Sequence, residues 1–429
     1  MNIKHFLSSN SNNHLQTKKG EDMKKIRTTV ISLFLIFAVS SSALANGLSL
    51  NSVGTRALGM GGAFVGLAND GSAIYWNPAG LAGQESSLDL YFTGIMPSGT
   101  YKLDAAAIDA SMKSNLYTAP GFFGNYSFGK WAVGLGIYVP AGLGAEWNGA
   151  ELKNLTAPFP DQYEWMSQIG VISFSPAVAY QISDKFSLGL AVNINYGLFD
   201  MKRPGDPIDV TGDGIPDVLP QYTETSSGIG YSATLGLKWD VCKQVSLGAT
   251  FRSASKVSMS GDAEVVGLMK SEFDRDVTWP MWIAGGVAYK PNERLTLTLD
   301  AQYSQWSELD KLTTKYKSLP EGEFILNWKD AVQIRLGGEY FVSKPIAIRL
   351  GYYYDPAPGP DDTYNILFPS MTNNVITGGF GYYVDKLSVQ AGLEYLMGAE
   401  RTIKPSAHNM PGIHQMNVLA FSIGLGWKF

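Results

Sequence analysis

The chain has 429 residues, 45% of them hydrophobic and 17% charged, with a formal net charge of −5. Its mean hydropathy is −0.03, and no apolar run reaches the roughly 20 residues that a spanning helix needs, so a helical membrane protein is excluded. The mild acidity and lack of a basic patch remove the electrostatic footprint of a nucleic-acid binder, whereas 47 Gly, 22 Tyr, 20 Phe and 10 Trp favour many strands and turns.

In chain order, the first signal is the apolar run from Val30 to Val39. Lys24, Lys25 and Arg27 precede it and Ala43-Leu44-Ala45 follows. A basic segment, a short apolar core and an A-x-A site read as a secretory signal peptide. Residues 1–45 are therefore a leader, with Met23 as the natural start and cleavage after Ala45. Cys242 is the sole cysteine, so the exported chain has no internal disulfide framework.

Residues 46–85 are rich in Gly and Ala, fit no long amphipathic helix and end in Asn77-Pro78-Ala79-Gly80-Leu81. From 86 to 429 the pattern changes to period two. Leu419, Phe421, Ile423, Leu425, Trp427 and Phe429 share one parity, and Phe186, Leu188, Leu190, Val192 and Ile194 another. One face suits lipid or a core and the other a polar interior; a soluble β-sandwich gives the same local signal. The signal peptide, the long strands and the alternation of tight turns with long loops favour an antiparallel barrel of about fourteen strands. The seventh is expected near 243–262, a loop near 263–275 and the eighth strand near 276–290. Aromatic residues near strand ends, among them Trp131, Trp239, Trp279, Trp306 and Trp328, are expected at the two membrane interfaces. A barrel of this width cannot be filled by wall side chains alone, so residues 46–85 are expected to plug it as a hatch. The fold class is thus all-β, a transmembrane β-barrel with an N-terminal plug.

Within the expected third strand, Val139-Pro140-Ala141-Gly142-Leu143-Gly144 interrupts the ladder, because proline lacks a donor and glycine weakens a strand. Pro140, Gly142 and Gly144 mark a bulge in the wall or the strand's end at Tyr138. Arg252, Asp300, Arg335, Glu339, Arg349 and Glu394 have inward parity. They read first as a salt-bridge network tying wall to plug, and secondly as a source of a cation for a ligand carboxylate. In a long loop, Asp209, Thr211, Asp213 and Asp217 place oxygens at the spacing of a short Ca²⁺ loop, although Pro220 occupies the twelfth position where a full EF-hand needs Glu. A structural Ca²⁺ is the one cofactor considered, against a hydrated acidic turn. No catalytic set emerges: His408 and His414 have no metal-ligand pattern and no nucleophile elbow is present.

The segment containing Asn77-Pro78-Ala79-Gly80-Leu81, together with YVPAGLGAEW at 138–147, LGLAVNINYG at 188–197, VAYKPNERLTLTLDAQYSQWSEL at 287–309 and WKDAVQIRLGGEYF at 328–341, resembles the FadL/TodX family. These are outer-membrane channels for long-chain fatty acids and other hydrophobic compounds. The terminal Phe429 also resembles the C-terminal signature of outer-membrane barrels. The resemblance implies that Asn77, Pro78 and Ala79 gate a hatch and that the third strand kinks to open a lateral window, with Ala141 where Phe is usual. It points to Lys329 as a basic ligand residue, with Arg335 and Arg252 as further candidates. No second basic match is found on the fifth strand, where Leu198, Lys202 and Arg203 lie nearest. It implies a Gram-negative outer membrane, passive uptake of fatty acids or of aromatic or alkane hydrocarbons, and capture by apolar loops at 155–165 and 367–371. The implied partners are the ligand, outer-membrane lipid and the barrel assembly machinery, with the protein a monomer. A surface adhesin, a structural barrel or a barrel enzyme would share the wall.

Overall fold

The computed structural model describes residues 47–51, 53–159 and 161–429; the leader, start-site and cleavage readings lie outside them. From Ser87 onward the chain is mostly strand. The first half comprises β1 (Ser87–Leu103), β2 (Ile108–Ser111), β3 (Tyr117–Phe128), β4 (Trp131–Trp147), β5 (Trp165–Ser183), β6 (Phe186–Pro204) and β7 (Gln221–Cys242). Next come β8 (Val245–Arg252), β9 (Ser255–Val265), β10 (Met269–Trp279), β11 (Trp282–Tyr289), β12 (Leu295–Ser304), β13 (Lys311–Tyr316) and β14 (Gly322–Ile325). The chain ends with β15 (Ala331–Ser343), β16 (Ile346–Asp355), β17 (Asn373–Val384), β18 (Leu387–Gly398), β19 (Arg401–Ile403) and β20 (Gly412–Lys428).

These segments make a closed fourteen-stranded antiparallel barrel. Closure runs from Ser87 opposite Lys428 to Lys102 opposite Ile413, which leaves no open sheet edge in lipid. The alternation resolves as expected: Leu188, Leu190, Val192, Ile194, Tyr196 and Leu198 are exposed, while Asn193, Asn195 and the other residues of opposite parity are buried inside. Trp131, Trp239 and Trp427 are exposed beside the short turns, where an amphipathic ring suits the interface. Trp306 and Trp328 are instead buried, with ring centroids 5.3 Å apart; they pack the mouth of the barrel and do not form a belt.

Two strands differ from expectation. The seventh is broken between Arg252 and Ser255, and the eighth between Trp279 and Trp282. Arg252 and Ser255 both point inward across an odd step, as do Val277 and Trp282, so each break shifts the parity of its strand by one. Pro280 supplies no donor for the ladder at the second break. Above the breaks, β9 and β10 continue as a hairpin through most of the expected 263–275 loop, with Val257 opposite Val277 and Glu264 opposite Lys270. The charge there reads as loop, but outward cross-strand pairs such as Lys256–Asp276 (2.6 Å) and Lys270–Glu264 (2.9 Å) accommodate it on strands.

The N-terminal segment forms helix α1 (Thr55–Gly59), helix α2 (Ala73–Trp76) and a 3₁₀ turn at Pro78–Leu81. Gly61 and Gly62 both have φ of +64°, the left-handed conformation that lets the chain reverse between the helices at no steric cost. Leu58, Met60, Phe64, Ile74 and Trp76 are almost fully buried. Met60, Phe64, Ile74 and Trp76 form one core with inward residues of the wall, including Phe123, Tyr138 and Trp282.

Candidate functional site

Three adjacent strands receive the N-terminal segment through glycines. A Cβ at Gly189 on β6 would lie 2.2 Å from the Ala79 nitrogen, and at Gly236 on β7 it would lie 2.2 Å from Asn77 Oδ1. At Gly248 on β8 it would lie 2.1 Å from the Val65 carbonyl oxygen. The segment presses on bare wall backbone here, with its own backbone at Gly189 and Gly248 and with the Asn77 side chain at Gly236, which only glycine allows. Asn77 is fully buried: its Nδ2 donates to the carbonyls of Val65 (3.0 Å) and Leu237 (2.9 Å), and its Oδ1 accepts from the Ala79 amide (3.2 Å). Pro78 opens the 3₁₀ turn, where its missing donor costs nothing.

The inward charges converge on the same segment. Asp300 accepts from the Val65 amide at 2.6 Å. Glu339 is clamped bidentately by Arg56, with Nε at 2.8 Å and Nη2 at 2.6 Å, and also accepts from Arg349 Nε at 2.7 Å. Arg252 donates to the Tyr75 carbonyl at 3.1 Å and lies over the Tyr75 ring. Arg335 donates to Asn51 Oδ1 at 2.5 Å and to Gln333, and lies between the Trp76 and Tyr353 rings. Arg252 and Arg335 are thus bound to the plug. Lys329 is exposed ahead of β15, with its backbone amide bonded to the Pro358 carbonyl. None of the three lines the cavity described next. The placement of Lys329 follows from the short irregular stretch that lifts it off the strand before Ala331.

That cavity, of about 590 Å³, lies between the N-terminal segment, β1, β4 and the loop after β16. Leu50, Ile95, Leu143, Ile169, Leu396 and Val418 give it apolar walls. Its charged lining is acidic: Glu146, Asp355 and Glu394, with no Lys, Arg or His among the described residues that line it. Glu146 is paired with Lys113 at 2.8 Å, Asp355 accepts from Gln333 and Asn373, and Glu394 accepts from the Tyr353 hydroxyl.

At one side of the cavity the wall is incomplete. β3 and β4 pair from Phe128 opposite Trp131 up to Phe122 opposite Ile137 and then part. Above that point β3 keeps its partner β1, and β4 keeps β5. Contact resumes at the extracellular end, where Met112 bridges Trp147 and the Lys113 amide donates to the Glu146 carbonyl at 2.7 Å. The result is a bounded window in the barrel wall. Pro140 lies at its centre, inside a register shift between Tyr138 and Ala141. On the inner side, residues 48–50 occupy the edge that β3 leaves. Leu50 N donates to the Pro140 carbonyl and Gly142 N to the Leu48 carbonyl, both at 2.9 Å, around the bridge of Ser49 to Ala141. Strand β4 therefore bulges and continues; it does not end at Tyr138. The inner bridge had no signal in the sequence, since three residues without alternation cannot announce a strand.

The loop at 367–371 is folded inward. Leu367, Phe368 and Met371 are buried, the Phe368 ring meets Phe199 and Phe324, and Trp147 Nε1 donates to the Ile366 carbonyl at 3.0 Å. Pro369, Ser370 and Met371 line the cavity, and the apolar side chains of the loop are packed inward. The 209–217 loop also differs from a metal cradle. Asp209 accepts from the amides of Gly212 (2.6 Å) and Gly214 (2.7 Å), Asp217 from Val210 (2.9 Å) and Thr211 (3.0 Å), and Asp213 from Ile215 (2.9 Å). These backbone amides hold the Asp209 and Asp217 carboxyls below the usual range. Their oxygens are turned to the loop's own backbone, and no metal-holding group of three His, Cys, Asp or Glu occurs among the described residues.

Residues 36–427 match the family described as outer membrane protein transport protein (OMPP1/FadL/TodX). The long-chain fatty acid transport protein of Escherichia coli K12 is 22% identical over 420 residues, covering 84% of this chain and 90% of that protein. A Pseudomonas aeruginosa FadL homologue shares the fold at a TM-score of 0.76 and 18% identity, over 90% of this chain and 100% of that one. The Ralstonia pickettii toluene transporter TbuX does so at 0.69 and 18%, over 88% and 98%. A barrel with outward apolar residues and an N-terminal segment packed against its inner wall, matched along nearly its whole length, places this chain in the outer membrane as a member of the OMPP1/FadL/TodX family.

Proposed function

We propose that the protein is a passive channel for hydrophobic small molecules, which enter the luminal cavity from outside and leave sideways through the window between β3 and β4. The observation that carries this reading is the continuity of cavity and window: Tyr117, Thr118 and Ala119 on one rim and Val139, Ala141 and Gly142 on the other all line the cavity. An apolar solute blocked by the polar outer leaflet gains about 25 cal/mol per Å² of surface withdrawn from water, first in the cavity and then among the acyl chains. Binding, orientation and release need no chemistry and no energy source, so flux follows the gradient. The protein acts as a monomer in lipid after insertion by the barrel assembly machinery.

The acidic lining favours uncharged solutes, since a carboxylate would be desolvated beside like charge. Long-chain fatty acid uptake is the second reading, favoured by the names of relatives such as the Escherichia coli protein. Uptake of radiolabelled toluene and oleate by cells carrying or lacking the protein separates the two. Toluene entering faster with the protein supports the first reading, oleate alone supports the second, and neither entering faster removes transport altogether.

A further inference from the structure

We propose that the ring of Tyr117 is the door of the wall window, seated on the bare backbone of Gly144, and that it sets the size of solute that can leave. The proposal rests on the lateral-exit reading. Tyr117 is the first residue of β3, on the rim that has parted from β4. A Cβ at Gly144 would lie 2.2 Å from Tyr117 Cζ and within 2.6 Å of two further ring carbons. The ring therefore crosses from the β3 rim and rests on the β4 rim, covering the upper part of the window. The bridge of Ser49 to Ala141 covers the part below from inside.

The two glycines of this stretch of β4 differ in what they are for. A Cβ at Gly142 would meet only ordinary contacts, Ile169 O at 3.6 Å and Leu50 Cδ1 at 3.8 Å. A Cβ at Gly144 would stand where the ring is. Only Gly144 is required by the seat, and any side chain there displaces the ring.

The ring is also lightly held. Its hydroxyl meets Asn115 Nδ2 at 3.5 Å, at the limit of a hydrogen bond, and Asn115 has a better partner in Glu146 Oε2 at 2.7 Å. Rotation about the Tyr117 side chain therefore breaks little, in contrast to Tyr138 on β4, which is fully buried and within hydrogen-bond distance of Ser175 at 3.0 Å. A door must move at low cost between two packed rims, and Tyr117 is the aromatic residue on this rim with that freedom.

The experiment compares initial uptake of radiolabelled pyrene and toluene by cells expressing the full chain, in a strain lacking the protein. Tyr117→Ala is expected to raise the pyrene-to-toluene ratio by about tenfold, the scale on which pocket size discriminates apolar ligands. Gly144→Ala, which evicts the ring and leaves it in the chain, should shift the ratio the same way. Tyr117→Phe should return it towards the parent value. Heat-modifiable migration on gels verifies that each barrel is folded. An unchanged ratio in folded Tyr117→Ala or Gly144→Ala would overturn the door while leaving transport standing. No uptake of either probe by the parent protein above the deletion strain would overturn both.

Discussion

Two faces of the barrel wall meet the N-terminal segment in opposite ways. On β6, β7 and β8 the segment lies directly on wall backbone at Gly189, Gly236 and Gly248 and is fastened by Asn77. Arg252 at the end of β8, and Asp300 and Glu339 farther round, add buried bonds to the same segment. Above Phe122 and Ile137, β3 and β4 are unpaired, and residues 48–50 lie along the gap with two backbone bonds to β4. The difference is in the number of bonds: residues 55–81 are held to the wall by many buried contacts, and residues 48–50 by two backbone bonds.

Several substitutions would break or sharpen that contrast. Glu339→Ala should have the largest effect on stability. It leaves Arg56 and Arg349 buried without their shared carboxylate, which costs about 3–5 kcal/mol, read as a lower midpoint in urea unfolding of the barrel in micelles. Trp76→Ala empties the centre of the plug, where the ring is almost fully buried and its Nε1 donates to the Val53 carbonyl at 2.9 Å. The expected loss is about 3–5 kcal/mol at most, less where the cavity collapses. Asn77→Ala removes the donor to the Leu237 carbonyl and strands the buried Val65 carbonyl, at about 1–3 kcal/mol before water relieves it. It should raise ion conductance in planar bilayers as the plug loosens, whereas an unchanged conductance would mean that the glycine seats alone hold it.

The smallest effect concerns the extracellular end. His414 is buried against the Tyr101 ring at 4.5 Å, and burial pushes its imidazole down to about 4, with Arg401 acting in the same direction and a bond to the Met410 carbonyl opposing it. A base whose folded value lies below its unfolded value near 6.5 binds more protons when unfolded. Its contribution is complete above about 6.5 and is lost as pH falls from there towards 4. Hydrogen exchange of residues 404–411 should accelerate between pH 7 and 5, and His414→Gln should flatten that dependence.

Much of the wall was legible because period two is a local signal: Leu188 to Leu198 reads the same in the sequence and on the surface. The inward charges were legible as a group for the same reason, and as a network tying wall to plug they are where parity put them. Their partners were not legible, because Arg56 to Glu339 spans 283 positions. Pro140 announced a fault in its strand through its missing donor. That β3 rather than β5 parts from β4 there is a matter of three-dimensional pairing. Lys329 stands off the strand and outside the cavity lining, a placement that a basic residue beside a strand does not announce, and the inward packing of Leu367, Phe368 and Met371 is not announced by an apolar loop either. The acidic spacing at 209–217 does not announce that backbone amides of the same loop bond to its carboxylates.

The central claim is that solutes leave through the window. Replacing Pro140-Ala141-Gly142 by Val-Thr-Val restores donors and β-branched side chains along this edge and touches neither Asn77 nor the buried charges. Initial uptake of radiolabelled toluene should then fall to the level of cells lacking the protein, while the folded barrel keeps its urea midpoint. Uptake equal to that of the parent protein, with β4 paired across the gap, would contradict lateral exit and leave the axis of the barrel as the route.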